Sequence, residues 1–182
     1  GARDTGRGTV FNGPAAVTSN GVVQDGWTGP AKLKYTGSNT LTLNNTNTYS
    51  GGTSLTIAGS TLIANHDGAL GIGDVSLTAG SVTLTLQNGV TQNYINDAAS
   101  LSIVTGDTVN LNYAATDLVA TLVVNGVTVA PGLYGSGAIN PNGIFTGTGF
   151  ITVLVPEPSV YMLLGVGILI GGQRFLGRRK SA

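Results

Sequence analysis

Residues 54–89 read SLTIAGSTLIANHDGALGIGDVSLTAGSVTLTLQNG, and this stretch decides the fold. Leu, Ile and Val alternate here with Thr and Ser, which is the pattern of short strands with one buried face and one face toward solvent. Between the runs lie Gly59-Ser60, Gly80-Ser81 and Asn88-Gly89, which are typical of tight turns. The stretch therefore predicts consecutive β-strands joined by turns.

The same alternation extends in both directions, over a body of residues 36–154, and no helical periodicity precedes residue 159. The expected strands are Leu41–Leu43, Ser54–Ile57, Thr61–Ile63, Val75–Thr78, Val82–Leu86, Leu101–Ile103, Val109–Leu111 and Leu118–Val124. Regularly spaced aliphatic residues, about 19–22 positions apart, are Leu41, Leu62, Leu84, Ile103 and Leu122. One coil of a β-solenoid, with two or three short strands, needs such a period.

We therefore predict an all-β fold class, a β-solenoid resembling a parallel β-helix. Stacked aliphatic side chains would fill the interior of the coils, and Asn and Thr ladders would form at their corners. A β-sandwich with irregular strand spacing is the alternative. Residues 1–35, with Gly13-Pro14 and Gly29-Pro30, are expected to be irregular. The chain begins at Gly1 without Met or an apolar signal segment, so we expect a fragment or a processed form.

Residues 155–182 differ in kind from the body. Pro156-Glu157-Pro158 predicts an extended spacer, because two prolines remove donors that a central strand needs. Residues 159–177 are almost entirely apolar, and as a helix they would reach roughly 28 Å, close to the thickness of a bilayer core. Arg174 can snorkel, and Arg178, Arg179 and Lys180 fit the positive-inside rule. We predict a single C-terminal transmembrane helix; a buried helix of a soluble domain is the alternative.

Composition excludes several classes of function. The 182 residues include no cysteine, one histidine and only 9% charged residues, so thiol chemistry, disulfides and His-rich metal sites are excluded. Eight cationic and eight acidic residues do not form the basic surface that nucleic-acid binding needs. Between Lys34 and Arg174 there is no Lys or Arg, so an acidic body precedes a cationic tail. This asymmetry indicates a membrane or compartment boundary.

Catalytic and metal sites find little support. His66-Asp67 is the one conceivable acid–base pair, but neighbours on a strand point to opposite faces, so we interpret it as a turn. Asp74, in a G-x-G-x-D-x-U stretch, has no partner nine residues away for a calcium repeat and is also interpreted as a turn residue. We expect no enzyme, no cofactor and no metal. A β-helix polysaccharide lyase or hydrolase is the less favoured reading.

Three aromatic residues, Trp27, Tyr35 and Tyr49, could stack on sugars, although single aromatics in strands are more often packing residues. The helix also carries Gly167 and Gly171 in a G-x-x-x-G spacing, which favours close helix contact. The alternatives stay open: the aromatics as packing residues, and the glycines as residues that are common in such helices.

The C-terminal arrangement resembles the PEP-CTERM protein-sorting domain of Gram-negative bacteria. Pro156, Glu157 and Pro158, one apolar helix and the end with Arg174, Arg178, Arg179 and Lys180 occur in the order of that family. The resemblance implies recognition of Pro156-Glu157-Pro158 by an exosortase-type enzyme after export. It also implies a transient anchor in the inner membrane and release to the cell surface or matrix.

The body is similar to autotransporter-associated β-strand repeat proteins. An N-T-Y-x-G-G-T turn is present at Asn47 to Thr53, and a G-A-L-G turn at Gly68 to Gly71. Together, these features predict an exported structural protein of the bacterial cell surface or extracellular matrix. A carbohydrate-binding or adhesive module of a biofilm matrix, with exopolysaccharide as a further partner, is the alternative.

Overall fold

The computed structural model describes residues 10–11, 15–27 and 29–154. Within these ranges the chain forms sixteen β-strands and one 3₁₀ turn, Pro141–Gly143. The strands are β1 (Val10–Phe11), β2 (Val17–Ser19), β3 (Leu33–Tyr35), β4 (Thr40–Leu43), β5 (Thr53–Leu55), β6 (Thr61–Ala64), β7 (Val75–Leu77), β8 (Thr83–Gln87), β9 (Ser100–Ile103), β10 (Thr108–Asn112), β11 (Thr116–Val119), β12 (Thr121–Val124), β13 (Val127–Thr128), β14 (Gly132–Tyr134), β15 (Phe145–Gly147) and β16 (Phe150–Val153).

Two long sheets wind around a common core. The first sheet has the order β1-β3-β5-β7-β9-β12-β13, and the second has the order β15-β10-β8-β6-β4-β2. Up to β10 the chain alternates between the two sheets, and neighbouring strands pair in parallel apart from the β12–β13 hairpin. The result is an all-β solenoid of about five turns, as predicted. A sandwich would have joined antiparallel strands instead.

Strand register confirms part of the predicted period. Leu41, Leu62 and Leu84 are consecutive partners in the second sheet, 21 and 22 residues apart. The partner of Leu84 in the following coil is Val109, however.

The last two positions of the series lie in the other sheet. Ile103 pairs with Val124, and Leu122 pairs with Leu101, both in the first sheet. Both sheets show the same apolar alternation, so spacing alone does not tell which sheet a leucine joins.

The core lies between the two sheets and runs the length of the solenoid. Leu41, Leu62 and Leu84 are fully buried, and the Thr residues that alternate with them face outward. Burial of each such side chain contributes about 1.5–3 kcal/mol to the free energy of unfolding. Stacking identical positions coil upon coil therefore lets very short strands form a stable structure.

An amide ladder runs along one corner, at the ends of the second-sheet strands, as expected for Asn. In each step an amide nitrogen donates to the side-chain oxygen of the preceding coil. The steps are Asn44 to Asn20 at 2.7 Å, Asn65 to Asn44 at 2.9 Å, Gln87 to Asn65 at 3.1 Å and Asn112 to Gln87 at 3.2 Å. The ladder ties five successive coils together without any charge.

We expect the centre of this ladder to contribute more to the free energy of unfolding than its end. Asn65 donates once and accepts from both Gln87 and Asn88, so Asn65→Ala should lower the free energy of unfolding by about 2 kcal/mol. Asn112→Ala removes one bond at the exposed end of the ladder and should cost about 0.5–1 kcal/mol. Urea denaturation of the two variants would measure the difference, and equal values would contradict the larger contribution assigned to Asn65.

The N-terminal segment is more regular than the sequence indicated. Three strands, β1, β2 and β3, lie within residues 1–35 and pair with later coils. They have only two or three residues each, too few for alternation to be visible. The predicted strand Leu118–Val124 is also divided, at Ala120, because β11 joins the third sheet, β11-β16-β14, and β12 joins the first.

The predicted transmembrane helix, residues 159–177, lies outside the described residues. Among residues 10–11, 15–27 and 29–154, no helix has the length and apolarity needed to cross a bilayer.

Candidate functional site

The body leads directly into the predicted sorting segment. The last strand, β16, pairs with β11 in parallel and with β14 in antiparallel orientation, so both of its edges are occupied. Leu154 follows, 43% exposed, with its N–H 3.4 Å from the Val119 carbonyl. The chain therefore leaves the fold at a fixed point. The predicted sorting and topology residues lie outside the described part: Pro156, Glu157, Pro158, Arg174, Arg178, Arg179 and Lys180.

His66 and Asp67 lie in a turn, as the sequence indicated. The His66 Nδ1 atom lies 2.9 Å from the Asp67 backbone carbonyl, not from its carboxylate. The Asp67 carboxylate instead accepts the N–H groups of Val90 and Thr91 at 2.8 Å and of Asn93 at 3.1 Å. Burial tends to raise the pKa of Asp67, but these donors outweigh it and hold the pKa below its ordinary value. The carboxylate therefore fastens the turn of the next coil.

Other aspartates do the same between neighbouring coils. Asp25 accepts the N–H groups of Ala31 and Ser50, both at 2.8 Å, and the Ser50 hydroxyl at 2.6 Å. The hydrogen bonds from Ser50 lower the pKa of Asp25 most, followed by the bond from Ala31. Asp74 accepts the N–H of Ser100 at 2.8 Å, which agrees with its interpretation as a turn residue.

The two buried aspartates reach back to the preceding coil. Asp107 accepts the N–H of Val82 at 3.0 Å, 25 residues earlier. Across the part of the chain that the structure describes, no group of three His, Cys, Asp or Glu side chains could hold a metal ion. The carboxylates of Asp67, Asp74 and Asp107 thus bind backbone N–H groups, in a body without Lys or Arg.

Asp117 is the most perturbed of these groups, and sequence reasoning did not single it out. It is 1% exposed and accepts the N–H groups of Tyr94, Ile95 and Leu118 at 3.0–3.2 Å. Burial raises the pKa of the Asp117 carboxyl to about 7, more than the three donors lower it. Asp97 adds a smaller like-charge contribution in the same direction. Asp117 lies in β11, so it ties the third sheet to the loop before β9.

The two turns that resemble a repeat motif touch each other. Asn47, 3% exposed, donates from Nδ2 to the Ala69 carbonyl at 2.6 Å and accepts the Val23 N–H on Oδ1 at 2.7 Å. Thr53 donates its hydroxyl to the Leu70 carbonyl at 2.9 Å. One buried amide thereby joins three successive coils, which explains why an Asn opens the first turn.

One glycine in each turn lies close against the neighbouring coil. At Gly71, with φ of +74°, an added Cβ would lie 2.7 Å from the Tyr49 ring. At Gly52, with φ of +86°, it would lie 2.6 Å from the Asp74 carbonyl oxygen. Both positions therefore require glycine for conformation and for space.

An open groove of about 290 Å³ lies over these turns. Its polar and apolar lining includes Thr46, Thr48, Ile72, Thr91, Asn93 and Asn96. Asp67 also lines it, but its carboxylate is already bound by three backbone donors. The groove can offer hydroxyl and amide groups to a ligand, and it presents no free acid–base pair.

The three aromatic candidates separate clearly. Tyr35 and Tyr49 are fully buried and pack in the core, so neither can stack on a sugar. Trp27 is 102% exposed, with its side chain entirely in solvent. Sequence alone could not show which of the three is exposed, because Trp27 and Tyr35 lie only eight residues apart and differ in burial.

Comparison with known families concerns the C-terminal segment. Residues 154–180 match the PEP-CTERM protein-sorting motif. The predicted PEP-CTERM signal is confirmed by this match, and the motif implies exosortase-dependent sorting to the cell surface. The chain matched no curated protein and no solved structure.

Proposed function

We propose that this protein is a non-catalytic structural protein of the bacterial cell surface or extracellular matrix, exported and then sorted by an exosortase-type enzyme. The match of residues 154–180 to the PEP-CTERM motif carries the proposal. In this proposal Pro156-Glu157-Pro158 is the element that the sorting enzyme recognises. Residues 159–177 hold the precursor in the inner membrane, and Arg178, Arg179 and Lys180, with Arg174, keep the C-terminus in the cytoplasm.

The body supports a structural role through the way it is built. Its polar groups are largely spent on contacts between coils: the amide ladder, the buried Asn47 and the aspartates that bind backbone N–H groups. We propose further that the body is related to autotransporter-associated β-strand repeats. Supporting this relation, the two motif turns, residues 47–53 and 68–71, bind each other directly.

The sorting proposal predicts loss of maturation when the motif or the basic end is altered. In a host that carries an exosortase, Glu157→Ala should reduce the yield of the processed form at least tenfold while leaving membrane insertion intact. The residue lies outside the apolar span, so insertion does not depend on it. Combined Arg178→Asn, Arg179→Asn and Lys180→Asn should also reduce processing, because each charge opposes translocation of the tail by about 2.5–3.5 kcal/mol.

Immunoblots of membrane, cell-surface and medium fractions would measure both forms. Asp97→Asn, an exposed carboxylate of the body, provides the matched control and should mature normally. Unchanged maturation of Glu157→Ala and of the triple variant would contradict the proposal.

The second candidate function is carbohydrate binding or adhesion in a biofilm matrix. The observation that favours it is the fully exposed indole of Trp27. The lyase or hydrolase reading has no comparable support, because the His66 ring faces a backbone carbonyl and the Asp67 carboxylate is occupied.

A further inference from the structure

The most exposed large apolar side chain that the structure describes is the indole of Trp27. The next is Val90, which is 86% exposed. The loop that carries Trp27 is closed at its base. The Gly29 N–H lies 3.4 Å from the Gly26 carbonyl, and Asp25 accepts the N–H of Ala31 at 2.8 Å. The ends of the loop are thus fixed to the fold, while an aromatic side chain that proteins usually bury stands in water.

The same loop runs straight into two lysines on one face. Lys32 and Lys34 are exposed, whereas Leu33 between them is buried, so both lysines project from the outer face of the first sheet. Residues two apart on a strand lie roughly 7 Å apart. The partner of Lys34 in the next strand is Ser54, which is neutral. Neither ammonium group is paired with a carboxylate of the described residues.

The one acid in this loop is already occupied. Asp25 accepts three hydrogen bonds, from Ala31 and from the N–H and hydroxyl of Ser50. Along the sequence there is then no Lys or Arg from Tyr35 to Gln173. The positive charge of the described residues is therefore carried by Lys32 and Lys34, five and seven residues after Trp27 in the sequence.

We propose that Trp27, Lys32 and Lys34 form a binding site for an acidic polysaccharide, one whose sugar units carry carboxylates. The flat indole matches the apolar C–H face of a pyranose ring, and the ammonium groups pair with carboxylates on neighbouring units. A neutral sugar would leave both charges without a partner. Contact with an anionic membrane would contribute only about 1 kcal/mol of binding free energy for each lysine, with a single aromatic side chain to insert.

This inference deepens the carbohydrate-binding alternative and rests on it. It is independent of the sorting signal in its test, because binding is measured on the purified chain and processing is measured in cells. Failure of one leaves the other standing.

Trp27 is the only tryptophan of the chain, so its fluorescence reports this site alone. The full chain, purified in a neutral detergent, would be titrated with oligogalacturonate and, in parallel, with cello-oligosaccharide of equal length. We expect a blue shift of the emission and protection from iodide quenching with oligogalacturonate, and no change with the neutral oligosaccharide. Raising the salt concentration should weaken binding, because exposed charges are screened.

Calorimetry on variants would separate the contributions. Trp27→Ala, and Lys32→Ser combined with Lys34→Ser, should each weaken binding at least tenfold, while Trp27→Tyr should retain most of it. Val90→Ala is the matched apolar control and should bind like the wild type. Circular dichroism would verify that every variant is folded.

Three results would overturn the proposal. They are absence of binding to oligogalacturonate, equal binding to the neutral oligosaccharide, and unweakened binding by the folded Trp27→Ala variant. Vesicles of phosphatidylglycerol form the last arm of the test. If Trp27 responds to them and not to oligogalacturonate, the site belongs to a membrane contact and the polysaccharide proposal fails.

Discussion

The free energy of unfolding is expected to fall by about 2–3 kcal/mol when the pH is raised from about 5 to about 8. The cause is Asp117, whose pKa is about 7 in the folded protein, against an ordinary value of 3.8. Between these values the folded state holds one proton more than the unfolded state, so stability falls as the pH rises. The contribution of Asp117 to the free energy of unfolding is fully present below pH 3.8 and is lost above about pH 7.

The other perturbed carboxylates act in a different pH range. The pKa values of Asp25 and Asp67 are lowered, so their contribution is present above 3.8 and is lost only when the pH falls below it. They remain ionised between pH 5 and 8, and the slope in that window therefore belongs to Asp117.

This slope would be measured by urea denaturation of the full chain, followed by circular dichroism. The chain would carry His66→Asn, so that the one histidine does not contribute to the slope. Asp117→Asn is the control. It cannot ionise, and its amide oxygen can still accept the N–H groups of Tyr94 and Ile95. The slope should vanish in that variant. A slope that persists there, or a flat profile for Asp117 itself, would show that the buried carboxyl does not control stability.

The strands of the second sheet could be predicted because their alternation is strict and local. Leu41, Leu62 and Leu84 alternate with threonines, and they occupy equivalent positions in three successive coils. The sheet that Ile103 joins could not be predicted in this way. It depends on the length of the loop before β9, which extends the step from Leu84 to Val109 to 25 residues.

The roles of the aspartates were not predictable for a different reason. Their partners are backbone N–H groups, which every residue except proline supplies, so the partner leaves no mark in the sequence. Asp107 and Val82, 25 residues apart, have nothing in their identities that links them. A usable signal was the absence of Lys and Arg from the body, since a buried carboxylate without cations must be bound by N–H groups or protonated.

The sorting signal, in contrast, could be predicted from the sequence alone. It consists of a short motif, an apolar run and a basic end in linear order, and residues 154–180 were recognisable without any fold. The exposure of Trp27 depends wholly on the fold, because Tyr35, eight residues later, faces the core.

The second large effect is expected at Asn47, whose two side-chain ends cannot be exchanged. Its Nδ2 donates to the Ala69 carbonyl at 2.6 Å, and its Oδ1 accepts the Val23 N–H at 2.7 Å. Asn47→Asp keeps the shape of the side chain but places a second oxygen against the Ala69 oxygen. A buried charge would then be held by a single N–H and opposed by a carbonyl dipole. We expect the free energy of unfolding to fall by about 3–5 kcal/mol.

Asn142→Asp makes the same chemical change on an exposed residue of the 3₁₀ turn and adds the same charge, so it should cost no more than about 0.5 kcal/mol. Comparing the two variants by urea denaturation at about pH 7 separates the broken contact from the added charge. Lowering the pH to about 4 should restore part of the loss in Asn47→Asp, because a protonated carboxyl can donate to the Ala69 carbonyl as the amide does. Equal stability of the two variants would contradict the assignment of Asn47 as the residue that joins three coils.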